Sequence, residues 1–312
     1  MKDILNKIIK YEEFDEADGI FVKKSASVSY PDDGNAACFE VEDKSFWFTH
    51  RNVIITETVK KYSPKGSVFF DVGGGNGYVS CALKNAGFET VLFEPGIEGC
   101  KNAQKRGIDH VFAALFNKEV IKMDSAENIG LFDVLEHIGD DVEYLKELYA
   151  LIKEGGTLYI TVPAYQFLFS REDEIAGHFR RYSINLLKEK LRAAGFEIVY
   201  DTYFFWFLPL PMLIFRKFLK RTSQNRKIAI SQHSPNKFIS KIINILLSFE
   251  IRAVKRRGEE YPMAALIFIG GMIMCMLGLI GEYIGRIYIC INRLPQYVVK
   301  ETINIALKAR ND

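Results

Sequence analysis

From Ser67 to Tyr203, short apolar runs alternate with stretches whose apolar residues recur every three or four positions, the mark of a parallel sheet covered by helices. The pattern predicts strands at Ser67–Val72, Glu89–Glu94, His110–Ala113, Ile129–Val134, Gly156–Val162 and Phe196–Tyr203. Helices are expected over Tyr78–Ala86, Gly96–Arg106, Asp141–Ile152 and Asn185–Ala194, with Gly87, Gly107, Gly155 and Gly195 following where C-terminal caps fall. The fold this implies is α/β: a doubly wound, mostly parallel sheet with helices on both faces. Residues 1–66 are less regular, with a turn cluster at Ser29–Gly34, and residues 1–50 read as a cap or lid on a core spanning 51–203.

Beyond Tyr203 the pattern changes. An aromatic run, Tyr203–Leu208, leads through Pro209 and Pro211 to the basic cluster Arg216, Lys217, Lys220 and Arg221, a combination that suits a membrane interface. In Lys237–Lys255 a polar stripe of Lys237, Lys241, Asn244, Ser248, Arg252 and Lys255 recurs at helical steps, so residues 204–258 contain an amphipathic helix. Its apolar face meets either a bilayer surface, or the protein's own domain or a second subunit. Met263–Gly281 is free of charge and, as a helix, would cross about 28 Å, which makes residues 259–312 a transmembrane helix and tail. Gly281 and Gly285 stand at the spacing that lets two such helices pair closely. The rival reading makes Ala264–Ile269 a further strand of the sheet.

Charge supports this division. Residues 1–200 carry 24 Lys and Arg against 32 Asp and Glu, and residues 201–312 carry 17 against 7. Positive charge on the apolar tail rather than on the front domain argues against nucleic acid and for an anionic membrane surface. The N-terminus has too many charges and too short an apolar run for a secretory signal, so a membrane-associated, single-pass chain with a cytoplasmic front domain is expected. The five cysteines, Cys38, Cys81, Cys100, Cys275 and Cys290, lack CxxC spacing, which excludes a disulfide scaffold and a zinc ribbon, and no metal is expected.

The chemistry concentrates in Val68–Ser80, VFFDVGGGNGYVS, where an apolar strand ends at Asp71 and Gly73, Gly75 and Gly77 precede a helix. This is D-x-G-x-G-x-G: Tyr78 occupies the place of the third glycine of the dinucleotide fingerprint, and there is no phosphate-loop lysine. Glu94 ends the next strand, where a carboxylate can accept from both hydroxyls of a ribose. With FDVLEHI at Phe132–Ile138 and LIKEGGTLYITV at Leu151–Val162, residues 45–203 resemble the class I S-adenosylmethionine-dependent methyltransferases, which implies that the sheet is Rossmann-like and seven-stranded. The resemblance implies that Asp71 and the backbone at Gly73, Gly75 and Gly77 hold the methionine part of S-adenosylmethionine, Glu94 its ribose, and Ala113–Phe116 the adenine. Glu136 belongs to the same cofactor set.

His137 follows the fourth strand and either removes a proton from the acceptor or braces a loop. His178, Arg180, Arg181 and Tyr182, in Gly177–Tyr182, make either a base with an anion clamp or a solvated charged loop. Arg51 is a candidate for the cofactor carboxylate or the acceptor, and Trp47 for a pocket wall or simple packing. Leu277–Lys300 resembles the last membrane helix and tail of family 2 glycosyltransferases acting on polyprenyl phosphate, although Leu294 interrupts the usual arginine–proline pair. The acidic sugar-nucleotide motifs of such enzymes are absent, so the resemblance implies membrane attachment and not glycosyl transfer. The expected activity is methyl transfer to an O or N acceptor, a small molecule or a lipid-linked, membrane-side saccharide. The alternatives are a quinone or isoprenoid O-methyltransferase and a non-catalytic, cofactor-binding membrane partner of a glycosyltransferase.

Overall fold

A computed structural model describes residues 2–24, 41–43, 45–205 and 237–255, with Phe39 and Pro209 as isolated positions. All fall in the first of two units, Met1–Arg257 and Gly258–Asp312. The strands are β1 (Phe14–Ala17), β2 (Ile20–Lys23), β3 (Val68–Val72), β4 (Glu89–Phe93), β5 (His110–Ala113), β6 (Ala126–Phe132) and β7 (Ile152–Thr161). The longer helices are α1 (Lys2–Ile8), α2 (Phe46–Tyr62), α3 (Tyr78–Asn85), α4 (Ile97–Lys105), α5 (Asp141–Leu151), α6 (Arg171–Ile175), α7 (Ile184–Ala193) and α8 (Lys237–Lys255).

The strands form one sheet in the order β1-β2-β5-β4-β3-β6-β7, parallel throughout except for the β1–β2 hairpin. From β3 the chain winds outward through β4 to β5, then returns to the other side for β6 and β7, so the direction reverses between β3 and β6. In open α/β sheets ligands bind at the carboxyl ends of the strands beside such a reversal. Alternation along β3 builds the layers. Val68, Phe70 and Val72 join a core with α1 and α5, whereas Phe69 points the other way, onto Val59 of α2 and Leu83 of α3.

Three helices end as their glycines predict: Phe88, Ile108 and Phe196 each donate a backbone N–H to the carbonyl five residues back, at Leu83, Ala103 and Leu191. Gly155 does something else. It lies inside β7, at a bulge where Asn128 pairs with Thr157 while Ala126 pairs with Ile152. Phe196–Tyr203 is also corrected: its alternation is real, but it pairs with no strand. Phe196 packs edge-on to Tyr149, Tyr200 lies against Tyr62 and Tyr203 stacks on Tyr165, so rings hold this segment where a ladder was expected.

The seven strands are completed from the other end of the chain. Residues 2–24, expected within a cap, instead extend the sheet: β2 pairs with β5 from Ile20–Val111 to Val22–Ala113, and Leu5, Ile8, Ile9 and Phe14 are buried in the main core. The two-residue turn Asp18-Gly19, with φ of 52° and 75°, is the tight hairpin turn that Asp-Gly favours.

Helix α8 packs on its own domain, against α2. Leu246, Leu247, Glu250 and Val254 are buried, and His50 Nε2 lies 2.7 Å from Glu250 Oε2 across a pairing 200 residues apart in the chain. Its outer face keeps Asn244, Ile245, Phe249 and Arg252 exposed, with the Arg252 guanidinium over the Phe249 ring. Among the described residues no helix is long and apolar enough to cross a membrane. The Met263–Gly281 span, the Ala264–Ile269 alternative and the Gly281/Gly285 pairing lie outside the described residues, as does the turn cluster at Ser29–Gly34.

Candidate active site

The loop after β3 is shaped by close approach. A Cβ on Gly73 would lie 2.6 Å from Val134 Cγ2, and one on Gly74 would lie 2.8 Å from both Asp71 Oδ2 and Leu92 Cδ1, so neither position accepts a side chain. Asp71 is buried and accepts a 2.7 Å hydrogen bond from Ser80 Oγ of α3. Burial pushes its carboxyl up to about 6, against the pull of Ser80 and of the Arg51 charge. Glu94 locks the loop to the next strand: Oε2 accepts from Gly75 N and Oε1 from Gly96 N, each at 2.9 Å. Below them buried Asn76 joins Asn102 of α4 at 3.0 Å and Glu42 at 3.1 Å, and Glu42 pairs with Arg106. Of the expected adenine segment, Ala113, Ala114 and Phe116 are buried and Leu115 is exposed.

A second cluster stands at the end of β6. Asp133 adopts φ of 58°, unusual for a residue with a side chain, and accepts from Thr161 Oγ1 at 3.0 Å. Arg51 Nε lies 2.7 Å from Asp133 Oδ2, yet its N–H is not aligned on that oxygen and has no acceptor. Arg51 therefore sits among Asp71, Asp133 and Glu136 as the shared positive charge. Glu136 is buried, and its Oε2 has no hydrogen-bond partner. Burial first, then the neighbouring Asp133 charge, push its carboxyl up to about 8. The His137 and His178 rings meet edge to face at 4.6 Å, and ligand atoms of Glu136, His137 and His178 lie within 4.8 Å of one another. Burial and then the His178 charge hold His137 below the ordinary histidine value.

The loop bearing His178 is built on two carboxylates. Asp173, at the start of α6, accepts from His178 Nδ1 at 3.0 Å and from Arg181 Nε and Nη2 at 2.8 and 2.9 Å. Asp141, at the start of α5, accepts from Arg180 at 2.6 Å, from the Tyr182 hydroxyl at 2.8 Å and from Lys190 at 2.7 Å. Burial works against both carboxylates, but these donors outweigh it and hold each below its ordinary value.

The structure thus brings Asp71, the glycines and Glu94 together at one end of the sheet, and Arg51, Glu136, His137 and His178 beside Asp133. It does not form the expected anion clamp. Arg180 and Tyr182 are committed to Asp141, with Tyr182 buried in the core, and Arg181 is committed to Asp173. Trp47 stacks on Phe205 at 4.1 Å and is exposed. Sequence reasoning missed Ser80, Asp133, Asp141 and Asp173. Asp133 stood inside the quoted FDVLEHI and Ser80 inside the quoted Val68–Ser80, nine residues from Asp71; Asp173 lies five and eight residues from His178 and Arg181, and only Asp141 has its partners thirty-nine or more residues away.

Residues 48–201 match the model of a methyltransferase-domain family, and residues 249–287 match that of the GtrB C-terminal hairpin. Residues 48–201 are accordingly a class I S-adenosylmethionine-dependent methyltransferase domain, whose cofactor is S-adenosylmethionine. The tabtoxin biosynthesis enzyme of Pseudomonas amygdali pv. tabaci is 26% identical over 160 residues, 49% of this chain and 63% of that protein. The bactoprenol glucosyl transferase of Shigella phage SfII is 39% identical over 46 residues, 15% of each chain. This chain thus spans less than two thirds of the curated relatives it matches. Among solved structures, the Haloferax volcanii methyltransferase bound to the Trm112 activator aligns with a TM-score of 0.47 at 21% identity, covering 56% of this chain and 80% of that one. The Haemonchus contortus phosphoethanolamine N-methyltransferase 2 with S-adenosyl-L-methionine aligns at 0.46 and 15% identity, covering 73% and 56%.

Proposed function

We propose that the chain transfers the sulfonium methyl group of S-adenosylmethionine to an oxygen or nitrogen of a lipid-linked saccharide at the membrane face. The observation that supports methyl transfer is the juxtaposition at the carboxyl end of one sheet: a carboxylate-braced glycine loop on one side of the reversal and the Glu136, His137 and His178 cluster on the other. Asp71 and the backbone at Gly73, Gly75 and Gly77 would hold the methionine part of the cofactor, and Glu94 its ribose. Trp47 and Arg51 border the acceptor. An acceptor lone pair attacks the methyl carbon in line, the C–S bond breaks with its electrons on sulfur, and the acceptor's proton leaves into the Glu136–His137–His178 cluster. Alignment supplies most of the rate in such a displacement.

The GtrB-type hairpin match over residues 249–287, together with the short match to a bactoprenol glucosyl transferase, supports a membrane-side acceptor. The exposed Ile245, Phe249 and Arg252 of α8 suit the same surface. The test is to incubate the full chain, in detergent, with methyl-labelled S-adenosylmethionine and polyprenyl-phosphate saccharides. Label is expected in the lipid-linked fraction. Label confined to water-soluble acceptors or to quinones would replace the acceptor, and no transfer to any acceptor would remove the reaction.

A further inference from the structure

The geometry points to a divalent-cation site formed by Glu136, His137 and His178, contrary to the expectation of no metal. The site's existence rests on these residues alone; its role in activating an acceptor oxygen rests on the methyl-transfer reading above. Three observations converge. The candidate ligand atoms lie within 4.8 Å of one another, and two bonds of about 2.1 Å to one ion place donors about 3–4 Å apart, so a small side-chain adjustment closes the set. Glu136 Oε2 is buried with no hydrogen-bond partner, a costly arrangement that an ion at that oxygen relieves. The His178 ring already has one nitrogen engaged from behind: Nδ1 is bonded to Asp173 at 3.0 Å, which leaves Nε2 to face an ion. A carboxylate or backbone carbonyl behind the ring is the usual support of a metal-binding histidine.

Two imidazoles and one carboxylate favour a first-row transition cation over Mg2+ or Ca2+, which prefer all-oxygen shells. Asp133, whose charge reaches both Glu136 and His137, adds negative potential on the same side. Three protein ligands leave a coordination position for an outside oxygen. An acceptor hydroxyl bound there would lie at the carboxyl end of β6, next to the glycine loop, and would lose its proton to solvent because the ion lowers its pKa, in place of the transfer to Glu136, His137 or His178 that the metal-free cluster makes.

Titration of the full chain in detergent with Co2+, followed by visible absorption and competed with Zn2+, tests the proposal. One equivalent is expected to bind, with affinity falling more than tenfold in Glu136→Gln, in His137→Gln and in His178→Ala, and unaltered in His110→Gln. Asp173→Asn, which removes the support behind His178, is expected to weaken Co2+ by roughly 10- to 100-fold. Unfolding curves and S-adenosylmethionine titrations establish that each variant is folded; His178→Gln replaces His178→Ala should that one fail to fold. No Co2+ binding by a chain that binds S-adenosylmethionine, or binding unaffected by all three ligand substitutions, overturns the site. Co2+ binding lost in those variants, by a chain that does not bind S-adenosylmethionine, keeps the site and removes the methyl-transfer reading.

Discussion

The two ends of the candidate site are held in different ways. Around Asp71 and Glu94 the protein braces its own carboxylates: a backbone N–H of Gly75 and one of Gly96 each bond one oxygen of Glu94, Ser80 bonds Asp71, and the residues come from one stretch of about twenty-five. Around Glu136 polar groups remain open. Arg51 Nε and Glu136 Oε2 are buried without acceptor or donor, Asp133 is in a left-handed conformation, and the supports arrive from α2, α5, α6 and α7. The first end is a preformed cradle. The second stores unmet polar demand, which is what a site that acts on a changing ligand requires.

Substitutions test that contrast, starting with the strongest. Glu94→Ala removes the acceptor of two backbone N–H groups together with the proposed ribose contact, and at about 1.5–3 kcal/mol per charged hydrogen bond the cofactor affinity is expected to fall by more than about 100-fold in a calorimetric titration. An unchanged affinity would mean the loop holds its shape without Glu94.

Asp71→Asn separates stability from binding. The folded protein holds the Asp71 proton more tightly than the unfolded chain, so ionisation between pH 4 and 6 costs stability, and the cost persists at pH 7. With the carboxyl raised from 3.8 to about 6, the cost is about 3 kcal/mol. Asparagine does not ionise. Denaturant unfolding at pH 7 should therefore show Asp71→Asn more stable by up to that amount, with the gain gone near pH 4, while S-adenosylmethionine binding weakens.

His50→Gln removes one partner of the buried pair that joins α2 to α8, and is expected to lower stability by about 1–3 kcal/mol and expose α8 to limited proteolysis. A stable variant with α8 still protected would show that Leu246, Leu247 and Val254 suffice. The smallest effect belongs to Tyr182→Phe, since Arg180 and Lys190 still serve Asp141: about 1–2 kcal/mol, read as a shift in the denaturant midpoint. A change in acceptor KM without loss of stability would return Tyr182 to the binding surface.

What was legible follows the same division. Strands β3 to β7 and the Asp71–Glu94 end were readable because apolar period, glycines and carboxylates lie close together in sequence. The β1–β2 hairpin was obscured because Phe14–Ala17 places three exposed residues behind one buried one, although Asp18-Gly19 was its signal. Phe196–Tyr203 has the alternation of a strand, and alternation reports which side chains are buried without saying whether the backbone finds a partner. His137 and His178 were singled out separately. Their contact depends on Asp173, five residues from His178 and thirty-six from His137, and no local pattern announces such a support. The Arg180 and Tyr182 assignments failed for a related reason: a run of charged and aromatic residues reads as exposed until a buried Asp141, thirty-nine residues away from Arg180, accounts for it.

The glycine loop's standing as a working cofactor cradle is tested most directly by calorimetric titration of the full chain in detergent with S-adenosylmethionine. One site per chain, with a dissociation constant in roughly the micromolar range, is the result expected. A folded chain that shows no heat of binding, and no change in unfolding midpoint with the cofactor present, would contradict it.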